Sequence, residues 1–497
     1  MNNFTGLNWQ KSILNNAGAI YPFIDTFSDN YKSLKFSSIY KNRCHLNKPI
    51  ELDLAGVVEK IINPYLLGNR TLVKGVSRQP WVPEIIENNS FFDLEFGYGS
   101  VLNPSPDFIF QLKELLIEEV RGYVKDRKNI GILLTGGMDS RILAGVLKIV
   151  QDEYNSSFSV VAITWGDVLS RDVIYASKIA RSFNWDRVCL PITAETLNRN
   201  IDLTAKWGAE VSAFHMHAIP DVALVDGVDL IIAASYGDSI GRGEYSGVHV
   251  TKLKSLKIQN MDKFNLLNRH IKKQYSSDIF TDLTSIDKHK GGGLKSQVFE
   301  YDLQSNYMRR MLQTNFNIIA QTKPFYQFFT SPAVASLMLS LDPKIRDDRW
   351  YSKLMEILPG RLYEIPWART GQAFNKSRKN KEDLYNTTYH SYGKWLRTDL
   401  SYRIESLPFS DRINRLGVLN EEHLKRIIKI WRKSRTNSVN QLDETLIWLA
   451  SFDSFLKKYN FSYEHPKDHV KFINSIDSVK GSLYAQFYIF MRNKYRN

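Results

Sequence analysis

The chain has 497 residues, a formal net charge of +14 and a hydrophobic content of 43%. This length allows two or three domains of ordinary globular composition, and we find no uninterrupted apolar run long enough to cross a bilayer. Cys44 and Cys189 are too few for a disulfide framework and give no metal-binding spacing. Because the residues that follow Met1 form neither a basic nor an apolar leader segment, we expect a cytoplasmic protein.

The excess of positive charge gathers in residues 252–273, 376–381 and 492–497. A solvated basic surface is the simplest interpretation of such segments. The alternative is that the basic tail binds an acidic carrier, a lipid-linked glycan or an anionic membrane surface. A nucleic acid partner is disfavoured because the chain lacks an aromatic-interleaved RNA-binding motif.

In chain order, the short strand-like runs of residues 1–104 predict a small N-terminal region. Ser105-Pro106-Asp107 is typical of a helix start. From Asn129 to about Ser235, short β-branched runs alternate with amphipathic segments, which predicts an α/β fold with a parallel sheet and helices on both faces. We expect this domain to span residues 105–400, mostly helical after Tyr301, and a helical C-terminal part to occupy residues 401–497.

The most informative segment, residues 130–140, reads IGILLTGGMDS. It predicts a strand, a Gly136-Gly137 turn and then a helix. The free N–H groups of such a turn and the helix dipole favour an anion. Since the lysine of a Walker A loop is missing, chemistry at the β- and γ-phosphates is not indicated. Asp139 is a candidate ligand for Mg²⁺.

Thr135-Gly136-Gly137-Met138-Asp139-Ser140 resembles the pyrophosphate loop, Ser-Gly-Gly-x-Asp-Ser, of the N-type ATP pyrophosphatases. Residues 67–76, LGNRTLVKGV, and Tyr236-Gly237-Asp238-Ser239, which follow a predicted third strand, are similar to segments of the asparagine synthetase group. The resemblance implies an adenine nucleotide alpha hydrolase-like fold. It also implies that ATP is cleaved to AMP and pyrophosphate, and that a carboxylate is activated as an acyl-adenylate for attack by ammonia or an amine.

Site residues follow from this resemblance. The predicted ATP and pyrophosphate site consists of Thr135, Gly136, Gly137, Asp139, Ser140, Thr164 and Gly166. We expect Asp139 and Asp238 to hold Mg²⁺, and Asp238 to belong to the catalytic centre. Glu210 is the predicted base that deprotonates the amine. Arg369 is the first candidate for the positive charge at the developing oxyanion, with Lys353 and Lys376 as alternatives. His215 and His217 would share one face of a strand and are candidate contacts to the acceptor.

Three positions depart from the family pattern. Asn2 stands where the family's glutaminase has its nucleophilic cysteine, so we expect a degenerate N-terminal region and a separate source of ammonia. Ser239 replaces a second carboxylate, and Gly371 replaces a lysine. These changes argue against free aspartate and favour another small-molecule or carrier-linked carboxylate, such as a uronic acid of a surface polysaccharide or a peptide carboxylate. The alternatives are a non-catalytic nucleotide-binding scaffold, or a tRNA-modifying enzyme, which the lack of a CxxC pair disfavours.

Overall fold

The computed structural model describes residues 20–28, 30–81, 97–155, 157–255, 262–284, 294–374, 385–463 and 475–495. The predictions that rest on Asn2 and Lys376 lie outside these residues.

Strands within the described ranges form a central sheet and two small ones. The strands are β1 (Phe23–Asp25), β2 (Tyr31–Ser33), β3 (Val76–Arg78), β4 (Asn129–Leu133), β5 (Ser159–Trp165), β6 (Asp186–Leu190), β7 (Leu230–Ala233), β8 (Glu244–Tyr245), β9 (Val248–His249) and β10 (Phe325–Gln327). The central sheet has the order β10-β7-β4-β5-β6, and all its neighbouring strands are parallel. The small sheets, β2-β1-β3 and β8-β9, are antiparallel. The predicted α/β fold class is confirmed.

Helices surround the central sheet and make up most of the C-terminal part. The α-helices are α1 (Phe36–His45), α2 (Leu54–Ile62), α3 (Phe108–Val124), α4 (Met138–Glu153), α5 (Arg171–Ser182), α6 (Ala194–Lys206), α7 (Ile219–Val222), α8 (Arg269–Gln274), α9 (Ser276–Leu283), α10 (Lys295–Leu303), α11 (Thr314–Phe316), α12 (Pro332–Ser340), α13 (Asp348–Ile357), α14 (Tyr392–Arg397), α15 (Ser401–Glu405), α16 (Asp411–Asn414), α17 (Glu421–Trp431), α18 (Gln441–Lys458) and α19 (Ser475–Tyr495). Short 3-10 helices cover Ala213–Met216, Val250–Lys252, Ile319–Gln321, Leu362–Glu364 and Leu407–Phe409, and π-helices cover Gly237–Gly241 and Gln304–Gln313.

The inner strands β4 and β7 of the central sheet are apolar on both sides because both faces are covered. Ile130 and Ile132 of β4 enter one hydrophobic core, while Leu133 enters the core on the opposite face. β7 follows the same alternation, with Ile232 in the first core and Ile231 in the second. This arrangement explains the near-continuous apolar runs, which are typical of buried parallel strands.

The strand order places a crevice at the carboxyl ends of β4 and β7. The chain runs from β4 through α4 to β5 on one side, and β7 joins β4 on the other side. In open parallel sheets, ligands bind where the strand order reverses in this way. The loop that follows β4 is the predicted pyrophosphate loop.

The N-terminal region shares a core with the C-terminal helices and with α6. Phe36 of α1, Leu197 of α6 and Trp448 of α18 are buried in this common cluster. The domain boundaries at residues 104 and 400 stay predictions. The predicted helix start at Ser105-Pro106-Asp107 directly precedes α3, which begins at Phe108, and the region after Tyr301 is mostly helical, as predicted, with the short strand β10 within it.

Candidate active site

Hydroxyl groups shape the loop between β4 and α4. The backbone N–H of Thr135 donates to Ser140 Oγ over 3.1 Å, and the N–H of Gly137 donates to Thr135 Oγ1 over 3.1 Å. The two hydroxyl oxygens are 3.2 Å apart. A hydroxyl at position 135 is therefore needed for the loop's conformation, and either serine or threonine supplies it.

The second anchor of the loop is Arg141, which is fully buried. Its guanidinium donates to the carbonyl oxygens of Gly136 at 3.1 Å, Pro366 at 2.9 Å and Leu362 at 3.0 Å. Burial lowers the pKa of Arg141 to about 9. A Cβ atom on Gly136 would lie 2.8 Å from Ala368 Cβ, so only glycine fits between the loop and this neighbouring segment.

Donors at the start of α4 are available to an anion. Gly137 is the N-cap and provides no side-chain cap, so the first N–H groups of this 16-residue helix lack intrahelical partners. Asp172, in the first turn of α5, accepts a hydrogen bond from the N–H of Gly136. Burial raises the pKa of Asp172, and this hydrogen bond offsets part of the rise. The loop thus already directs one backbone N–H at a carboxylate.

Asp139 and Asp238, the predicted metal ligands, lie together. Asp238 belongs to the π-helix that follows β7, and its carboxyl group is a hydrogen-bond neighbour of Asp139. A Cβ atom on Gly237 would lie 2.5 Å from Asp139 Oδ1, so glycine permits this approach. Burial and the charge of Asp238 raise the pKa of Asp139 well above its usual value, and Arg242 offsets part of the rise.

A guanidinium that the sequence analysis missed sits among these carboxylates. Arg242 forms ion pairs with Asp238, with Asp348 Oδ1 at 2.7 Å, with Glu244 Oε2 at 3.3 Å and with Asp139 Oδ1 at 3.4 Å. We call these five residues the Arg242 cluster. Its cation is nearly fully buried, and its four carboxylates leave a surplus of negative charge. Asp139 Oδ1 is buried and accepts no hydrogen bond from the described residues.

Arg369 lies at the rim of the Arg242 cluster. Its Nη2 atom is 2.7 Å from Glu244 Oε1, and the side chain is 50% exposed. Lys353 instead lies over the ring of Trp350, 5.1 Å from its centroid. At Gly371, φ is +69° and a Cβ atom would lie 2.8 Å from Arg171 Cζ, so the local fold requires glycine where the family has lysine.

A cavity of about 260 Å³ opens beside the loop. It is lined by Leu133, Thr135, Asp139, Ser140, Trp165, His215, His217, Ile219, Ala233, Ala234, Ser235, Leu312, Phe316 and Tyr389. Neither Thr164 nor Gly166 lines this cavity. Side chains alternate along β5, and Trp165, the neighbour of Thr164, is the residue that points into the cavity. Gly166, with φ of +120°, lies directly under Tyr389, whose Cβ would be 2.7 Å from an added Cβ.

Glu210 belongs to a different cluster. Its Oε2 atom accepts a hydrogen bond from Arg78 Nε at 2.7 Å, and its Oε1 atom accepts one from Arg310 Nη2 at 3.0 Å. All three side chains are buried. We call them the Glu210 cluster. Glu210 is absent from the lining of the cavity beside the loop, and both of its oxygens are occupied, so this geometry gives no support to its predicted role as a base.

His215 and His217 are not on a strand. His215 lies in the 3-10 helix Ala213–Met216, and His217 follows it with a strained φ of 44°. Both nevertheless line the cavity. His215 Nε2 is 2.8 Å from Glu444 Oε1, and His217 Nδ1 is 3.2 Å from the hydroxyl of Tyr392. Burial, with smaller contributions from His390 and His215, lowers the pKa of His217 well below its usual value.

The fit of Mg²⁺ depends on the phosphates as well as on the protein. No group of three or more metal-binding side chains occurs among the residues that the structure describes. Mg²⁺ is commonly held by one or two carboxylates together with substrate phosphates. Asp139, whose buried Oδ1 atom accepts no hydrogen bond from the described residues, and the adjoining Asp238 fit that requirement.

Comparison with known proteins supports the resemblance. Residues 111–228 match the family model described as asparagine synthase. This segment contains most of α3, the loop, and strands β4 to β6, and it ends before β7. A search of curated proteins returns no match. The resemblance drawn from the loop motif is confirmed, because the segment that is similar to this family includes the Thr135–Ser140 loop.

Proposed function

We propose that the chain is an ATP-dependent ligase that activates a carboxylate as an acyl-adenylate and transfers the acyl group to ammonia or an amine. The family match supports the ligase class. The observation that carries the proposal is the joining of the loop's Asp139 with Asp238 at the carboxyl ends of β4 and β7, beside an open cavity. Asp238 lies outside the matched segment, so the structure adds this contact independently.

In the first half-reaction, an oxygen of the substrate carboxylate attacks the α-phosphorus of ATP. The bond from the α-phosphorus to the bridging oxygen breaks, and pyrophosphate leaves with the electron pair. The N–H groups at the start of α4 and the hydroxyl of Ser140 bind the departing phosphates. Asp139 and Asp238 would hold Mg²⁺, which supplies charge neutralisation when bound. Arg242 and Arg369 add fixed positive charge near the same point.

In the second half-reaction, the amine nitrogen bonds to the acyl carbon, and the bond from that carbon to the AMP oxygen breaks. A base must take a proton from the amine. The geometry favours His215 over Glu210, because His215 lines the cavity. Its Nε2 faces the carboxylate of Glu444, which can only accept, so the lone pair resides on Nδ1. Within the described residues, Nδ1 makes no hydrogen bond.

Glu444 is suited to hold His215 in this tautomer. Burial raises the pKa of Glu444. The positive charge of a protonated His215, the hydrogen bond from His215 and the charge of Lys60 together lower this pKa by more than burial raises it, so the net shift is downward. A carboxylate kept ionised beside an imidazole stabilises the imidazolium that forms when the base takes its proton. His215 and Glu444 thus form a base and its orienting partner.

The carboxylate substrate that becomes the acyl-adenylate is one other than free aspartate. The family's second carboxylate is replaced by Ser239, which is buried and donates to the carbonyl of Tyr236 over 3.2 Å. Trp165 and Tyr389 give the cavity aromatic walls, which suit a sugar ring or a peptide side chain. We therefore propose a uronic acid of a surface polysaccharide or a peptide carboxylate, with ammonia or an amine supplied separately.

A non-catalytic scaffold is the competing function, and one observation favours it. The guanidinium of Arg242 already occupies Asp238, where Mg²⁺ would bind. A scaffold would bind ATP without turning it over.

ATP–pyrophosphate exchange with glucuronate and with glutamyl peptides separates these functions. The proposal expects carboxylate-dependent exchange and release of AMP and pyrophosphate. ATP binding by calorimetry without exchange for any carboxylate would favour the scaffold, and release of ADP and phosphate would refute adenylation. In the same assay, His215→Gln should retain exchange but lose amide formation. If His215→Gln forms amide at the wild-type rate, His215 is not the base.

A further inference from the structure

The C-terminal helix α19 turns large apolar side chains toward solvent. The outward stripe consists of Ile476, Val479, Leu483, Phe487 and Phe490, whose side chains are between 48% and 68% exposed. Their spacing of three or four residues places them along one side of the helix over about 21 Å. Exposed apolar patches of this continuity mark sites of interaction on soluble proteins.

The inward face of α19 consists of small side chains and one large apolar side chain, Ile489. The buried residues of the helix include Ser478, Gly481, Ser482 and Ala485. Gly481 lies so close to the carbonyl of Phe264 that a Cβ atom would clash with it. The helix therefore packs on α17 and its surroundings through small residues together with Ile489 and Tyr488, and the five residues of the outward stripe take no part in that core. Folding of the chain alone does not explain the outward stripe.

Positive charge borders the stripe. Lys480 and Lys494 are exposed on α19 itself, and Asp477 is the only acidic residue of that helix. Two further basic residues, Lys433 and Arg435, lie beside the C-terminal end of α19. The side chain of Asn493 accepts a hydrogen bond from the backbone N–H of Arg435 at 2.8 Å and donates one to the carbonyl of Lys433 at 2.9 Å. The side chains of both residues are exposed. Apolar and basic groups thus occupy one surface.

We infer that α19 is a peripheral membrane anchor that lies in the interface of a bilayer containing anionic lipids. The apolar stripe would insert among the acyl chains, and the bordering cations would contact the headgroups. Such a helix lies on the bilayer, and no helix in the described ranges has the length and apolarity to cross one. This inference concerns location and does not depend on the ligase chemistry.

A second copy of the chain is a poorer occupant of the same face. A symmetric pair would set each stripe against itself, so Lys480 and Lys494 of both copies would meet along one seam. The helix offers only Asp477 to compensate them. An anionic bilayer supplies negative charge along the whole stripe.

Vesicle co-sedimentation of the full chain tests the inference. Wild type should bind vesicles made of equal parts of phosphatidylglycerol and phosphatidylcholine, and bind vesicles of phosphatidylcholine alone far less. The double variant Phe487→Ser/Phe490→Ser should bind the anionic vesicles more weakly by roughly tenfold or more, because it removes two aromatic side chains that would be buried among the acyl chains. The matched control is Phe110→Ser, since Phe110 is an equally exposed phenylalanine on α3.

The outcomes are distinct. Loss of binding by the double variant, with binding retained by Phe110→Ser and weakened by salt, supports the anchor. Failure of wild type to bind anionic vesicles overturns it, as does equal binding by wild type and the double variant. If wild type sediments as a dimer without lipid and the double variant as a monomer, the face is a self-association surface and the inference is wrong. Thermal melting verifies that both variants fold. We expect both to fold because the substituted side chains are exposed.

Discussion

The Arg242 cluster and the Glu210 cluster both join buried arginine to carboxylates, but their charge balance is opposite. In the first, one guanidinium faces Asp139, Asp238, Glu244 and Asp348. In the second, Glu210 is held between two guanidiniums. The first keeps a buried carboxylate oxygen without a hydrogen bond, whereas the second satisfies both oxygens of its carboxylate and leaves only a guanidinium atom, Arg310 Nε, without one among the described residues. The first adjoins a cavity, and the second does not line it.

This difference separates a site from a structural brace. A buried polar group without a partner costs free energy, and such groups persist where a ligand completes them. A carboxylate enclosed by two arginines is already complete, and breaking it leaves buried charge. Clustering of ionisable side chains is thus insufficient to indicate function, and the unpaired atom beside a cavity is the better signal.

The largest effect should come from Asp139→Asn. It removes one charge from the Arg242 cluster at the atom that faces the loop, while it keeps the side chain's shape. ATP–pyrophosphate exchange should fall on the order of a thousandfold, because several kcal/mol of charge stabilisation at the phosphates is lost. The matched control is Asp348→Asn, which removes a charge from the far side of Arg242 and should change exchange by no more than about threefold. Equal losses in the two variants would mean that Arg242's ion pairs, and not a metal or phosphate contact, sustain exchange.

The next effect is on stability. Glu210→Gln should lower the free energy of unfolding by about 3–5 kcal/mol, because Arg78 and Arg310 are left buried without a carboxylate. Urea unfolding measures this loss, and exchange per folded molecule should stay close to that of wild type. The opposite result, a small loss of stability with amide formation abolished, would restore Glu210 as the base and remove His215.

The two clusters also show how far the sequence could predict the site. The Thr135–Ser140 loop, its strand and its helix follow from local pattern, since an apolar run, two glycines and a helical repeat determine them. Asp238 was predicted from its position after β7, and it does lie against Asp139. Arg242 was missed although Asp238 lies four residues before it, because that spacing is common on protein surfaces, and its partners Asp139 and Asp348 are far away along the chain.

Two further features were not predicted, for equally physical reasons. Trp165 was not predicted, because the family resemblance points to the end of β5 and the alternation of side chains decides which residue enters the cavity. The roles of Thr164 and Gly166 in ATP binding stay predictions. Strand β10 is three residues long, too short for a periodic signal, and it forms only by pairing with β7. Long-range pairing of this kind overrides local propensity.

A smaller loss of stability, and its recovery by Mg²⁺, should distinguish the two clusters. Arg242→Gln leaves Asp139, Asp238 and Asp348 without their cation, while Glu244 keeps its pair with Arg369. The substitution should lower stability by roughly 2–3 kcal/mol, less than Glu210→Gln, because Asp238 and Asp348 are partly hydrated. Thermal melting with added Mg²⁺ should recover much of this loss, and wild type should respond less, since its guanidinium already neutralises the carboxylates. Glu210→Gln should gain nothing from Mg²⁺, because it leaves surplus positive charge. A wild-type response as large as that of Arg242→Gln would show that Mg²⁺ binds beside the guanidinium without competition.

The smallest effect should come from Arg369→Gln. This variant removes the same positive charge as Arg242→Gln, but from an exposed side chain instead of a buried one, so the two variants differ in burial. Arg369 pairs with the same Glu244 as Arg242, but it is half exposed. Exposed ion pairs contribute about 0–1 kcal/mol, so its melting temperature should barely change. Exchange should fall by about threefold to tenfold if the guanidinium contacts a phosphate or the developing oxyanion, since water screens a charge at the rim. Arg369→Lys separates the two roles, because it keeps the charge and loses the paired contact with Glu244. Full recovery of exchange in Arg369→Lys would assign the residue a purely electrostatic role, and no loss in Arg369→Gln would remove it from the catalytic set and leave Arg242 as the cation of the site.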